Sequence, residues 1–234
     1  MGRAGDGGAG GNAHDQDVAL ADWQRLVARV AGDIGHELKN PVHATVINLE
    51  LVRRRIADGL ADQALERLDV VAEQVRRVHG VVEGLLQLLG DGVRYDEAIE
   101  LDRVVESVLP LLAAQAGAAG VGFRWTPAGP GTVVQVSADP LRHALVGLVA
   151  SAVDSLGGSS GGGIHVRAVG PPIGVEVSAT AAARSSPGTA TPDVALHELV
   201  RRVAARGGME IGAVPDQSPV SWSSTVFLAA HSGA

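Results

Sequence analysis

Between Val18 and Ala57 the apolar residues Leu20, Trp23, Val27, Val30, Ile34, Leu38, Val42, Val46, Leu49, Val52 and Ile56 recur every three or four positions. Held over so long a stretch, that spacing predicts one amphipathic helix with a single apolar stripe. Asp58-Gly59 ends the pattern with a turn. Leu65, Leu68, Val71, Val75, Val78, Val82, Leu85 and Leu89 then carry a second helix, which Gly90-Asp91-Gly92 stops. Two long helices joined by a short turn make an antiparallel hairpin, and a lone hairpin cannot cover its own stripes. Pairing two hairpins in a four-helix bundle buries them, so the pattern predicts a homodimer.

Beyond Tyr95 the texture changes to short apolar runs separated by Gly, Pro and Ser. The runs predict helices over 101–114, 139–156 and 192–206, and strands over 121–125, 133–136, 164–169, 173–178, 209–214 and 224–228. Strands and helices mixed in this way predict an α/β sandwich, one sheet covered by helices. Segments 157–163 and 179–191 read as flexible connections. The chain therefore divides into a disordered glycine-rich N-terminus (1–16), a helical hairpin (17–92) and an α/β domain (93–230), α+β in all.

Composition narrows the chemistry. The 234 residues suffice for real cores without a metal or disulfide. The absence of cysteine excludes disulfides, thiolate zinc sites, iron–sulfur clusters and cysteine nucleophiles. A formal charge of −7 argues against non-specific nucleic-acid binding, and Arg53-Arg54-Arg55 reads as a solvated helix face. The glycine-rich start lacks the apolar core of a secretory signal. No apolar stretch reaches the ~18–20 residues of a membrane-spanning helix. These features predict a cytoplasmic protein with no membrane span and no nucleic-acid partner.

The segment Gly35-His36-Glu37-Leu38-Lys39-Asn40-Pro41 lies in the middle of the first helix, where glycine and proline both cost stability. Pro41 cannot donate to the carbonyl of Glu37, so the helix is expected to bend there. Lys39 and Asn40 follow His36 by three and four residues and share its face. Ile34 and Leu38 fall on the core stripe, which leaves His36 facing solvent. A neutral imidazole, with an ordinary pKa of about 6.5, is a competent nucleophile towards a phosphoryl donor. Glu37 can hold the proton of the other ring nitrogen and stabilise the cation formed on attack. By itself, the His-Glu pair also reads as a surface histidine beside a glutamate in an ordinary kinked helix.

Gly35 to Pro41 resembles, almost letter for letter, the phosphoacceptor box of bacterial two-component sensor histidine kinases. The second helix looks like the partner helix of that family's dimerisation domain. Glu100-Leu101-Asp102-Arg103-Val104-Val105 is similar to the lead-in to its ATP-binding domain, and Ala138-Asp139-Pro140-Leu141-Arg142 to the run before its N box. The resemblance implies that His36 is the phosphoacceptor and Glu37 its acid–base partner. Glu37 and Asn40 match the family's E-x-x-N pattern for placing a water against a partner's phospho-aspartate. Lys39 and Pro41 would set local geometry and partner docking. The partner so implied is a response-regulator receiver domain.

The second half departs from the family where nucleotide chemistry belongs. The two N-box asparagines fall on Gly147 and Ser151, and serine is too short to hold magnesium as the second asparagine does. The D-x-G-x-G whose aspartate reads adenine is replaced by Ala179-Thr180-Ala181-Ala182-Ala183. The glycine-rich lid box is matched only by Asp193-Val194-Ala195-Leu196, so close backbone approach to phosphate is lost. The resemblance thus implies a kinase fold without its nucleotide and no ATP or magnesium cofactor, closest in kind to kinase-derived histidine phosphotransferases.

Two near-misses are set aside. His36-Glu37-Leu38-Lys39-Asn40 lacks the second histidine of a zincin helix, and no metal site is expected. Gly157-Gly158-Ser159-Ser160-Gly161 fits G-x-S-x-G but follows a helix rather than a strand. The other seven histidines show no ligand spacing and read as surface or satisfied core residues. Three functions remain: phosphotransfer through His36 without ATP, an active kinase with divergent nucleotide boxes, or a non-catalytic dimeric adaptor. Nucleotide binding separates the first two, and indifference to His36→Ala identifies the third.

Overall fold

A computed structural model describes residues 9–89, 98–156, 162–181, 194–212 and 221–228, with side chains except at 9–22, 36, 194, 195, 206 and 221. Helices α1 (Ala9–Ala57) and α2 (Ala61–Leu89) form the expected hairpin. Gly59 adopts φ 75° between them. Its N–H donates to the Ile56 carbonyl at 3.1 Å, and the Leu60 N–H donates to the Arg55 carbonyl at 2.8 Å. This Schellman arrangement satisfies the last carbonyls of α1, and only glycine takes the left-handed corner without strain.

Helix α1 begins inside the segment 1–16 expected to be disordered. Extending an existing helix needs no new nucleus, so the turn through Gly10 and Gly11 is carried by the helix behind it. The helix also continues through Pro41, whose carbonyl accepts a 2.8 Å bond from Thr45 Oγ1.

The rest of the chain is the α/β layer. Strand β1 (Ala98–Glu100) pairs antiparallel with β3 (Val133–Gln135) in a separate two-stranded sheet. At three residues, β1 is too short to leave an alternation in the sequence. Between them lie α3 (Leu101–Ala118) and β2 (Gly122–Thr126). The Asp102 carboxylate accepts the N–H groups of Ala128 and Gly129 at 2.9 and 3.0 Å, tying the loop before β3 to the first turn of α3. Next come α4 (Ala138–Leu156), β4 (Gly163–Val169), β5 (Gly174–Thr180), α5 (Val194–Arg206), β6 (Glu210–Ile211) and β7 (Ser221–Phe227).

The main sheet has the order β2-β4-β5-β7-β6. Only β2 and β4 run parallel, connected through α4; the other neighbours are antiparallel. Ile164, Val166, Val175, Val177, Trp222 and Val226 point into the core under α3, α4 and α5, while Arg167 and Glu176 alternate onto the open face. The ladder carries β5 two residues past its expected end, pairing Ala179 with Ile164 and Trp222, and Thr180 with Gly163 and Ser221. Ala179 is therefore a core strand residue rather than the start of a flexible connection. The remainder of that connection, residues 182–191, lies outside the described residues, as do 157–161 of the other.

Two glycines of α2 join the hairpin to this layer. A Cβ at Gly80 would sit 3.2 Å from Pro110, and one at Gly84 would sit 3.0 Å from the Leu111 Cβ. A mid-helix glycine costs about 1 kcal/mol relative to alanine. Here two of them, one turn apart, let α3 cross α2 at close range.

Candidate functional site

The box residues sit on α1 where it meets both α2 and α3. A Cβ at Gly35 would meet nothing within 4 Å. Lys39 and Asn40 are exposed and Pro41 is buried. His36 belongs to the helix by its backbone, while its side chain, and with it the expected solvent-facing imidazole, lies outside the described residues.

Adjacent residues on a helix do not face one another, and Glu37 turns to the inner side. Its side chain is 19% exposed, and its Oε2 lies 3.3 Å from Nη2 of Arg77 on α2. The same oxygen would be 3.4 Å from a Cβ on Gly117, in the last turn of α3. Three helices thus converge on one carboxylate.

Upstream of the box, one stripe of α1 is covered by the C-terminal layer. Leu26, Val30 and Ile34 are buried in the main core, and Trp23, Val27 and Leu38 pack at its margin. The Trp23 ring stacks on His143 of α4 with centroids 3.8 Å apart and planes tilted by 30°. His143 in turn places Nε2 2.9 Å from the Leu88 carbonyl in the last turn of α2, so the neutral ring donates its Nε2–H there. Burial lowers the His143 pKa from its ordinary 6.5; the Leu88 hydrogen bond and Asp139 oppose that shift, and Arg142 adds to it. Arg29 pairs with Asp154 further along α4.

The positions that resemble nucleotide-binding residues lie under this cover. A Cβ on Gly147 would fall 2.3 Å from Val200 Cγ2 on α5 and 3.6 Å from Leu26 on α1. One turn on, Ser151 is 1% exposed, and its hydroxyl finds no hydrogen-bond partner among the described residues. Ala179 is buried in the sheet. Of the degenerate lid box, Leu196 is buried against the same core, Asp193 lies outside the described residues, and Val194 and Ala195 are described by backbone alone.

Four residues of this arrangement have no place in the sequence motifs: Leu26, Arg77, His143 and Val200. For Leu26 the signal is present, since it follows Trp23 by three and precedes Val30 by four. Nothing local marks the others, because each matters through a residue 40 or more positions away.

Downstream of Pro41 the stripe changes character. Val42, Val46, Leu49 and Ile56 of α1 are exposed, as are Leu65, Leu68, Val75, Val82 and Leu86 of α2. Among the described residues no helix is long and apolar enough to cross a membrane, and no three His, Asp or Glu residues cluster to hold a metal.

Residues 26–89 match the family profile of the His Kinase A (phospho-acceptor) domain. The chain is similar to the C4-dicarboxylate transport sensor protein DctB of Rhizobium meliloti (strain 1021), 25% identical over 155 residues, covering 66% of this chain and 25% of that protein. It is also similar to the sensor histidine kinase ZraS of Escherichia coli (strain K12), 27% identical over 160 residues, covering 67% and 33%. The chain therefore spans about a quarter to a third of the length of these curated relatives. Among solved structures, a bacterial phosphotransferase superposes with TM-score 0.47 at 15% identity, covering 87% of this chain and 96% of that one. The Acinetobacter baumannii histidine kinase AdeS superposes with TM-score 0.44 at 17% identity, covering 84% and 98%.

Proposed function

The chain belongs to the two-component sensor histidine kinase family, and on that premise we propose that it carries phosphate on His36 and exchanges it with the aspartate of a response-regulator receiver domain, without ATP of its own. An imidazole nitrogen attacks the phosphorus of the receiver's phospho-aspartate. The N–P bond forms, the acyl P–O bond breaks, and the aspartate leaves as a carboxylate. Exposed Lys39 and Asn40 flank the histidine on the face a receiver would approach. Glu37 and Asn40 fit the pattern that places a water for hydrolysis of the phospho-aspartate, a second outcome at the same box.

The observation that carries this reading is an intact box beside a closed nucleotide face. Val200 and Leu26 occupy the space in front of Gly147, where the family has an asparagine. Ser151 is enclosed, and Ala179 offers no carboxylate to an adenine. These residues do not fit a magnesium nucleotide. The proposed assembly is a homodimer, since the exposed apolar faces of α1 and α2 are the surface a four-helix bundle would bury. Soluble cytoplasmic residence is part of the same proposal.

A second reading, an active kinase, is favoured by the curated relatives, two of which are named sensor histidine kinases. It requires α5 and α1 to withdraw from α4. The deciding experiment incubates the protein with magnesium and radiolabelled ATP, then with a phosphorylated receiver domain. The readout is acid-labile label that vanishes in His36→Ala. Label from the phospho-receiver alone is expected. Label from ATP alone would establish the kinase, and no label from either source would leave a dimeric adaptor.

A further inference from the structure

We infer that Arg77 is a positioning residue for the box: with the end of α3 it holds the Glu37 carboxylate on the inner side of the hairpin until the C-terminal domain shifts. The inference rests on the reading of His36 as the phosphate carrier. It starts from where Glu37 is found, 3.3 Å from Arg77 and in contact distance of Gly117.

The energetics of that position are uneven. Gly117 lies in the last turn of α3, at the negative end of the helix dipole, an unfavourable setting for a carboxylate. The Arg77 guanidinium offsets it. At Gly117 the Glu37 carboxylate and the Arg77 guanidinium both come within contact distance of the end of α3. Remove the cation, and Glu37 is left beside a like-signed helix end without its compensating charge.

The latch also reports domain position, because its parts come from different units. Glu37 and Arg77 belong to the hairpin and Gly117 to the α/β layer. A receiver docking on the hairpin, or any shift of α3, alters the fit at the carboxylate. Half-exposed Arg77 makes this an ion pair of modest strength, which suits a contact that has to open.

The test measures phosphate transfer from a labelled receiver to His36 in the full chain. Arg77→Gln is expected to raise the transfer rate about threefold, the scale of a surface ion pair, with the receiver concentration at half-maximal rate unchanged. The gain is expected to vanish in the Glu37→Gln background, where there is no carboxylate to release. Arg77→Lys, which keeps the charge, should stay near the parent rate. Gly117→Asp, which repels Glu37 and offers Arg77 another partner, should reproduce the gain. A rate unchanged or lowered in Arg77→Gln, or a gain that persists without Glu37, overturns the latch while leaving His36 as the carrier. Absence of His36-dependent label in every variant overturns the functional reading, and the latch with it.

Discussion

The two halves of α1 carry the same apolar spacing and meet different fates. From Trp23 to Pro41 the stripe is covered by the chain's own α/β layer, with Ile34 fully buried. From Val42 to Ile56 most of it lies open, Val46 being 61% exposed. The Gly35–Pro41 box stands at the boundary. A helical period thus states that a face will be covered, without stating by what. On the covered half the partner is intramolecular; on the open half none of the described residues supplies one.

Ile34→Ala should break the comparison most strongly. Truncating a fully buried isoleucine costs about 2–5 kcal/mol, and thermal unfolding should show the loss at every protein concentration. The equivalent change on the open half, Val46→Ala, should cost less than about 0.5 kcal/mol in dilute protein. Its effect should instead grow with concentration, as sedimentation across a dilution series would reveal. Equal, concentration-independent losses at both positions would remove the distinction between the halves.

The closure of α4 gives a smaller effect. Gly147→Ala drives a methyl into Val200, an overpacking worth about 1–3 kcal/mol. Val200→Ala in the same chain should recover most of it. Independent, additive losses in the two variants would show that α5 does not close over Gly147.

The smallest expected effect is a pH dependence at the junction of Trp23, His143 and Leu88. Burial holds the folded His143 below its ordinary 6.5, so the unfolded chain binds more protons below that pH. The stabilisation from this group is therefore complete above 6.5 and is lost as the pH falls through it. Melting temperatures from pH 8 to 5.5 should fall more steeply in the parent than in His143→Gln. His197, also lowered by burial, contributes equally to both proteins and cancels from the difference. Parallel profiles would remove His143 from the junction's proton balance.

Much of the fold was legible because its signals are local. The 3.6-residue period marks α1 and α2, Asp58-Gly59 marks the turn, and alternating short runs mark most of the sheet. The box was legible as a string of letters. What surrounds it was not. Leu26 stood one position away from the stripe read between Trp23 and Val30. Ala179 looked like a loop residue because the ladder that extends β5 is set by Ile164 and Trp222 on its neighbours. Gly80 and Gly84 carry no local sign of their role, which lies in the close approach of Pro110 and Leu111.

The sequence by itself determined the two long helices, the α/β order after them, the family resemblance of residues 35–41 and the replacement of the family's polar residues by Gly147, Ser151 and Ala179. These depend on backbone preference and on residue chemistry, which each position carries alone. Only the tertiary structure decided that α1 lies across α4 and α5, that Val200 and Leu26 fill the space before Gly147, and that Glu37 faces Arg77. Those are outcomes of packing between segments distant in the chain. Their free energy depends on the fit of surfaces that come into being only when the whole chain has folded.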